Sequence, residues 1–227
     1  VMMLTDLDIG MNDWVVPRLT WDDEYRPDRG RVLGEDDLEK ITKFLRFSDE
    51  DENHIAPRTL PGVHPKGAFF TRGSGHNKFG GYTEVPDEYQ DVVDRLLRKH
   101  KSAAKYVPEP EIHKRPGAMF GVVTLGGCAP AVREALDILE ARGIVADFMR
   151  IRAFPFNDSV EAFLLDHDFC FVIEQNRDAQ LRSLLTIETP VPKDRLHSLL
   201  VYGGFPLSAL HVIDGISKHL EGSLCLQ

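Results

Sequence analysis

Cysteine is scarce in this chain: Cys128, Cys170 and Cys225 are the only three among 227 residues. They are too few and too scattered for a disulfide framework or a four-thiolate metal site. None stands in a CxxC pair, so iron–sulfur ligation within the chain is not expected. Their scarcity fits a reducing, cytoplasmic compartment. Long apolar runs are missing too, and no stretch approaches the length of a transmembrane helix. Basic charge is in deficit: 27 Lys and Arg against 36 Asp and Glu leave a net charge of −9. That balance argues against nucleic acid, whose readers carry a basic face, and against anionic membranes. Anions can be held only by local clusters of Arg and Lys. P-loop, HExxH, nucleophile elbow and full GxGxxG fingerprint are all absent. No set of groups within the chain makes a complete catalytic site.

What is present divides in two. The length, with 42% hydrophobic residues, suffices for one or two domains with a sizeable core. Residues 1–6 read as a buried strand entered in mid-course, without the basic n-region or cleavage site of a signal peptide. That start is expected of a fragment or a processed product. Residues 1 to about 116 are irregular and rich in Pro, Gly and charge. Helix-like stretches stand out there at 35–47 and 86–105. In the second, Val92, Val93, Leu96 and Leu97 recur at helical spacing, with acids in the first turn and bases in the last. A stretch this rich in Pro and Gly seldom builds its own core and is expected to wrap along a partner. Trp14, Trp21 and the acids Asp22, Asp23 and Glu24 fit a solvated or interface segment.

From Gly117 the pattern becomes regular. Apolar runs at 119–125, 145–151, 169–174 and 197–202 read as strands. Helices are expected at 129–142, from Asp158 or Ser159 to about 166, at 179–187 and at 206–220. Pro130 suits a first turn, and Gly143 a C-terminal cap. The strict alternation predicts an α/β fold: a mostly parallel sheet with helices on both faces, preceded by an irregular extended arm.

Three places carry polar chemistry. Gly126-Gly127-Cys128 turns a strand into a helix, where free N–H groups can hold an anion. The blander reading is a tight turn without a ligand, with Cys128 a small buried residue rather than a thiol of lowered pKa. The loop Arg72-Gly73-Ser74-Gly75-His76-Asn77-Lys78-Phe79-Gly80-Gly81 combines four glycines, two bases and a histidine. It can clamp a carboxylate or phosphate, or be a flexible surface loop. Glu174, Asn176 and Gln180 follow the end of a strand, where parallel sheets place their ligand crevice. Asn176 can also cap the next helix.

These residues carry a family likeness. GVVTLGGCAPAVREAL at 121–136 resembles the opening of the transketolase-C-terminal-like domain in α subunits of 2-oxoacid:ferredoxin oxidoreductases. Phe154-Pro155-Phe156 is similar to the family's PFP turn. Glu174 to Leu181 is similar to its E-x-N-x-x-x-Q-L, and Tyr202 to Leu207 to its Y-G-G-x-P-L. Leu4 to Asn12 resembles the last strand and exit of the pyrimidine-binding domain. Gly75-His76-Asn77 stands where relatives carry G-x-E-H-[DN]-E, with Gly75 in place of the acid before His76 and Lys78 in place of the one after Asn77.

The resemblance implies an enzyme component that makes acyl-CoA, CO₂ and reduced ferredoxin from a 2-oxoacid, CoA and oxidised ferredoxin. The long-α-subunit type prefers 2-oxoglutarate. Thiamine diphosphate, Mg²⁺ and a [4Fe–4S] cluster belong to the assembled enzyme, the diphosphate and Mg²⁺ on a β subunit. The glutamate that activates the cofactor ring is expected upstream of Val1. The implied partners are that β subunit, the upstream α-subunit or γ-like region, and ferredoxin. The implied domains are 1–20 as the end of the pyrimidine-binding domain, 21–116 as the arm, and 117–222 as the transketolase-C-terminal-like domain. Arg72, Gly75, His76 and Asn77 are the substrate- or CoA-proximal residues. Gly126, Gly127, Cys128, Glu174, Asn176 and Gln180 are anion or interface residues. The alternatives are a stand-alone nucleotide- or phosphate-binding module and an oligomerisation domain.

Overall fold

A computed structural model describes residues 2–5, 7–11, 13, 15–48, 54–71 and 73–224. Trp14, Arg72 and Cys225 therefore lie outside the described residues. The chain divides into two compact units, Val1–Val15 with Val107–Gln227, and Val16–Tyr106. No helix among the described residues is long and apolar enough to cross a membrane.

The first unit opens with a short helix α1 (Leu7–Met11). Residues 2–5 form no strand, contrary to expectation: Met2, Met3 and Leu4 are about nine-tenths exposed. An apolar run becomes a strand only where a neighbouring strand takes its N–H and C=O groups. In the second unit, α2 (Glu35–Lys40) stops seven residues short of the expected end. The β-branched pair Ile41-Thr42 disfavours its continuation, and Ile41 is extended (φ −92°, ψ 150°). That exit lets Phe44 join Leu33 and Leu38 in a small core, with Ile41 and Val63 against it. The irregular stretch thus gathers apolar side chains of its own. The helix expected at 86–105 is α3 (Pro86–Ala103), with Pro86 in its first turn. Of its apolar stripe only Val92 is buried, while Val93, Leu96 and Leu97 are about half exposed.

The first unit resumes with β1 (Glu111–His113), β2 (Phe120–Leu125), α4 (Ala129–Ala141), β3 (Ala146–Ile151), α5 (Asp158–Leu165), β4 (Cys170–Glu174), α6 (Gln180–Glu188), β5 (Leu196–Leu200) and α7 (Ala209–Leu224). The strand order is β1-β3-β2-β4-β5. β1 is antiparallel to β3, and every other pairing is parallel. The expected strands and helices of this region all form. β1 was not foreseen, because three residues on an edge, with Ile112 between Glu111 and His113, are too few to display a period of two.

Alternation along the strands builds two cores. Phe120, Val122, Phe148, Phe171 and Ile173 meet α4 and α7 on one face. Val123, Met149, Cys170 and Val172 meet α5 and α6 on the other. On α4, Val132, Ala135, Leu136 and Leu139 repeat at i, i+3, i+4 and i+7, one helical stripe that is almost wholly buried. Burying each of these larger side chains is worth about 1.5–3 kcal/mol. β2 lies against Phe163 and Cys170 so closely that only glycine fits at Gly121: a Cβ there would stand 2.7 Å from Cys170 Sγ.

Candidate functional site

The strand order sets the first site. From β2 the chain passes through α4 to β3 on one side, then through α5 to β4 on the other. The carboxyl ends of β2 and β4 therefore flank the topological switch point, where open α/β sheets form their ligand crevice. Gly126 makes the turn after β2 in the left-handed region (φ +59°), and a short 3₁₀ turn through Cys128 leads into α4. Cys128 is buried, and its Sγ donates to Gln175 Oε1 at 3.5 Å. Gln175 Nε2 donates in turn to Phe205 O at 3.4 Å. Cys128 thus meets Gln175, 47 residues away, at the mouth of the crevice.

The polar groups after β4 hold that mouth in shape. The Glu174 carboxylate is buried and accepts from Leu181 N–H (2.8 Å), Arg182 N–H (3.2 Å) and Asn176 Nδ2 (2.5 Å). Asn176 Oδ1 accepts from the N–H groups of Asp178 (3.1 Å) and Gln180 (3.2 Å). These bonds satisfy the orphan donors at the start of α6. Between them Ala179 sits at φ 51°, ψ 50°, a left-handed conformation costly for a residue with a Cβ. A cleft of about 330 Å³ beside the turn is lined by Gly126, Gly127, Pro130, Arg133 and Arg150, among others. Both guanidiniums are drawn to Glu111: Arg133 hydrogen-bonds to it and Arg150 stands at 3.9 Å. His113 lies 3.0 Å from the same carboxylate, which these partners hold below the usual range, the His113 bond above all. Sequence reasoning missed this cluster, since β1 gave no signal and Arg150 looked like an interruption of an apolar run.

The second site lies in the other unit. Asn77 shapes its loop: Oδ1 accepts from Phe79 and Gly81 N–H (3.1 and 3.2 Å), and Nδ2 donates to Glu88 at 3.2 Å. Thr83 Oγ1 also donates to Glu88 (2.6 Å), and these two bonds, Thr83's first, hold that carboxyl below the usual range. Gly75 packs where a Cβ would touch Tyr89 at 3.2 Å. The His76 ring lies 4.3 Å from that of Phe47, and its Nδ1 is 3.2 Å from Ser74 O. Phe47 N–H donates to Lys78 O at 3.1 Å, fastening the loop to a cavity of about 470 Å³. Lys78, Arg95, Arg98, His54 and Asp91 line it, together with Phe47 and Ser48. Arg95 is 6% exposed and donates to His54 O at 3.1 Å. The cavity was invisible in the sequence, where Arg95 and Arg98 lie within the helix, far along the chain from His54 and Lys78.

A third polar cluster lies at the opposite end of the sheet. Buried Asp147 accepts from Arg115 N–H (2.7 Å) and Lys114 Nζ (2.9 Å), and stands 3.0 Å from His167 Nε2. Burial alone would raise its pKa, but these bonds outweigh burial and hold it below the usual carboxylate range. Among the described residues no group of three or more His, Cys, Asp or Glu could hold a metal ion.

Fold and site together define an α/β domain of doubly wound type, with capping polar groups beside its switch point. No family model matches the chain. It is similar to α subunits of 2-oxoacid:ferredoxin oxidoreductases. The one from Saccharolobus solfataricus is 23% identical over 227 residues, 97% of this chain and 34% of the relative. Subunit alpha of 2-oxoacid:ferredoxin oxidoreductase 2 from Aeropyrum pernix is 28% identical over 175 residues, 75% of this chain and 26% of the relative. The chain thus spans about a third or less of the length of these curated relatives. Among solved structures, the 2-oxoglutarate:ferredoxin oxidoreductase from Magnetococcus marinus, with 2-oxoglutarate, coenzyme A and succinyl-CoA bound, matches with a TM-score of 0.68. That match has 21% identity and covers 90% of this chain and 32% of the other, which establishes a shared fold.

Proposed function

We propose that this chain is the C-terminal part of the α subunit of a thiamine-diphosphate-dependent 2-oxoacid:ferredoxin oxidoreductase of the 2-oxoglutarate type. The observation that carries this reading is the similarity to a curated α subunit along 97% of the chain. The ordered motifs at 121–136, 174–181 and 202–207 support it. In this reading residues 1–20 end the pyrimidine-binding domain, 21–116 form the arm and 117–222 the transketolase-C-terminal-like domain. The chain works in the cytoplasm with a β subunit, the upstream α-subunit or γ-like region, and ferredoxin. It contacts neither nucleic acid nor membrane.

Thiamine diphosphate, when bound, supplies the carbanion chemistry. The described residues do not fit Mg²⁺ or a [4Fe–4S] cluster: they hold no carboxylate or thiolate set, and Cys128 and Cys170 sit on different elements. The chain's own part is positional. Its switch-point turn at Gly126, Gly127 and Cys128, braced by Glu174, Asn176 and Gln180, forms an interface wall. Arg72, Gly75, His76 and Asn77 line the approach of substrate or CoA.

The test is reconstitution. Joined to its upstream α region and mixed with the β subunit, the chain is expected to form a complex that reduces ferredoxin with 2-oxoglutarate and CoA. A chain that elutes alone from size exclusion, or a complex that oxidises no 2-oxoacid, overturns the reading.

A further inference from the structure

We propose that the exposed face of α3 is a docking surface for a second copy of this chain, the two α3 helices pairing antiparallel. This goes beyond the oxidoreductase reading and does not depend on it. Tyr89, Val93 and Leu96 recur at i, i+4 and i+7, the spacing of a seam between two paired helices, and Leu97 adjoins them. Each is about half exposed, in a helix whose other side is anchored by buried Val92 and Arg95. Apolar residues scattered singly over a surface need no partner. Four large ones in a single stripe leave a contiguous area that association removes from water.

The charges on α3 choose the partner. Asp87, Glu88, Asp91 and Asp94 all precede Arg95, Arg98, Lys99 and Lys101, so the sign changes once along the helix. Asp91, Arg95 and Arg98 line the cavity on the far side of the helix from the stripe and take no part. Asp87, Asp94 and Lys101 are spaced by seven and so lie on one line beside the stripe. Under a two-fold axis the same flank of each copy meets, because such an interface is self-complementary. Antiparallel pairing then sets the acids of one copy beside Lys101 of the other, and brings opposite ends of the two helix dipoles together. Parallel pairing sets acid beside acid. A different partner needs a matching charge gradient of its own, whereas a second copy already carries it. Four half-exposed side chains per copy bury less than the roughly 1,200 Å² at the lower end of stable interfaces. Association is therefore expected to be weak and to rise with concentration.

Sedimentation velocity on the full chain at rising concentration tests the proposal. A monomer–dimer equilibrium is expected. Leu96→Asp, at a half-exposed position, is expected to abolish the dimer while the far-ultraviolet circular dichroism spectrum stays unchanged. Lys101→Asp is expected to weaken association about tenfold, since a two-fold interface counts the change twice. Adding Asp87→Lys and Asp94→Lys to Lys101→Asp reverses the whole line and is expected to restore wild-type association. A chain that stays monomeric at every concentration assigns the face to a different partner and overturns the proposal. So does a dimer indifferent to Leu96→Asp, or a triple variant no tighter than Lys101→Asp alone.

Discussion

Cys170 and Cys128 are both buried thiols, yet their surroundings differ. Cys170 opens β4 beneath Phe163, and burial pushes its pKa up to about 12. A thiol of that kind holds almost no thiolate at neutral pH and is inert to alkylation. Iodoacetamide at pH 8 is expected to leave Cys170 unmodified in the native chain and to label it after urea unfolding, as read by peptide mass spectrometry. Labelling of Cys170 in the native state contradicts the packing at Gly121, where a methyl group has no room beside Sγ. Neither property was legible in the sequence. A glycine within an apolar strand announces a close approach, but not which side chain approaches.

The turn between β4 and α6 combines a strain and a brace. Ala179 holds a left-handed conformation, which glycine adopts without cost. Ala179→Gly is therefore expected to stabilise the α/β unit by about 0.5–1 kcal/mol, the αL penalty less the added chain entropy. Glu174→Ala acts the other way: it strips acceptors from two backbone N–H groups, one on buried Leu181. A loss of about 2–3 kcal/mol in urea unfolding is expected. If Glu174→Ala leaves the midpoint unchanged, the capping role of Glu174 is wrong. At this scale the sequence was most readable for long elements. β2, α4, β3 and β4 appeared within one or two residues of their expected bounds, because each buries a run or stripe that is mostly apolar. α2 and β1 did not, because their extents depend on neighbours: Phe44 turning into a local core, and β3 offering an edge.

In the α/β unit, two buried or half-buried groups with lowered pKa values, His197 and Asp147, tie stability to pH in the same sense. His197 has its pKa lowered, by burial first and then by His219, whose ring lies 4.4 Å away, and by Arg182. The unfolded chain therefore binds a proton there before the folded one does. Stability from this group is complete above the ordinary histidine value of about 6.5 and is lost as pH falls below it toward the folded value. Asp147, also lowered, contributes stability above the ordinary carboxylate value of about 3.9, lost as pH falls further, through its folded value. Urea midpoints are expected to decline in two stages on acidification, and His197→Gln is expected to flatten the first. An unchanged profile in that variant removes His197 from the account.

The sequence by itself determined the alternation of strand and helix from Gly117 onward, and with it the parallel sheet and the crevice at Gly126. Those features follow from local periodicity and from turn chemistry written in adjacent residues. Tertiary structure alone decided which polar groups meet. Arg95 reaches the carbonyl of His54 across 41 residues, His167 reaches Asp147 across 20, and Cys128 reaches Gln175 across 47. No local pattern encodes such pairs. They form because packing within each unit brings distant side chains together in a low-dielectric interior, where a polar group must find a partner.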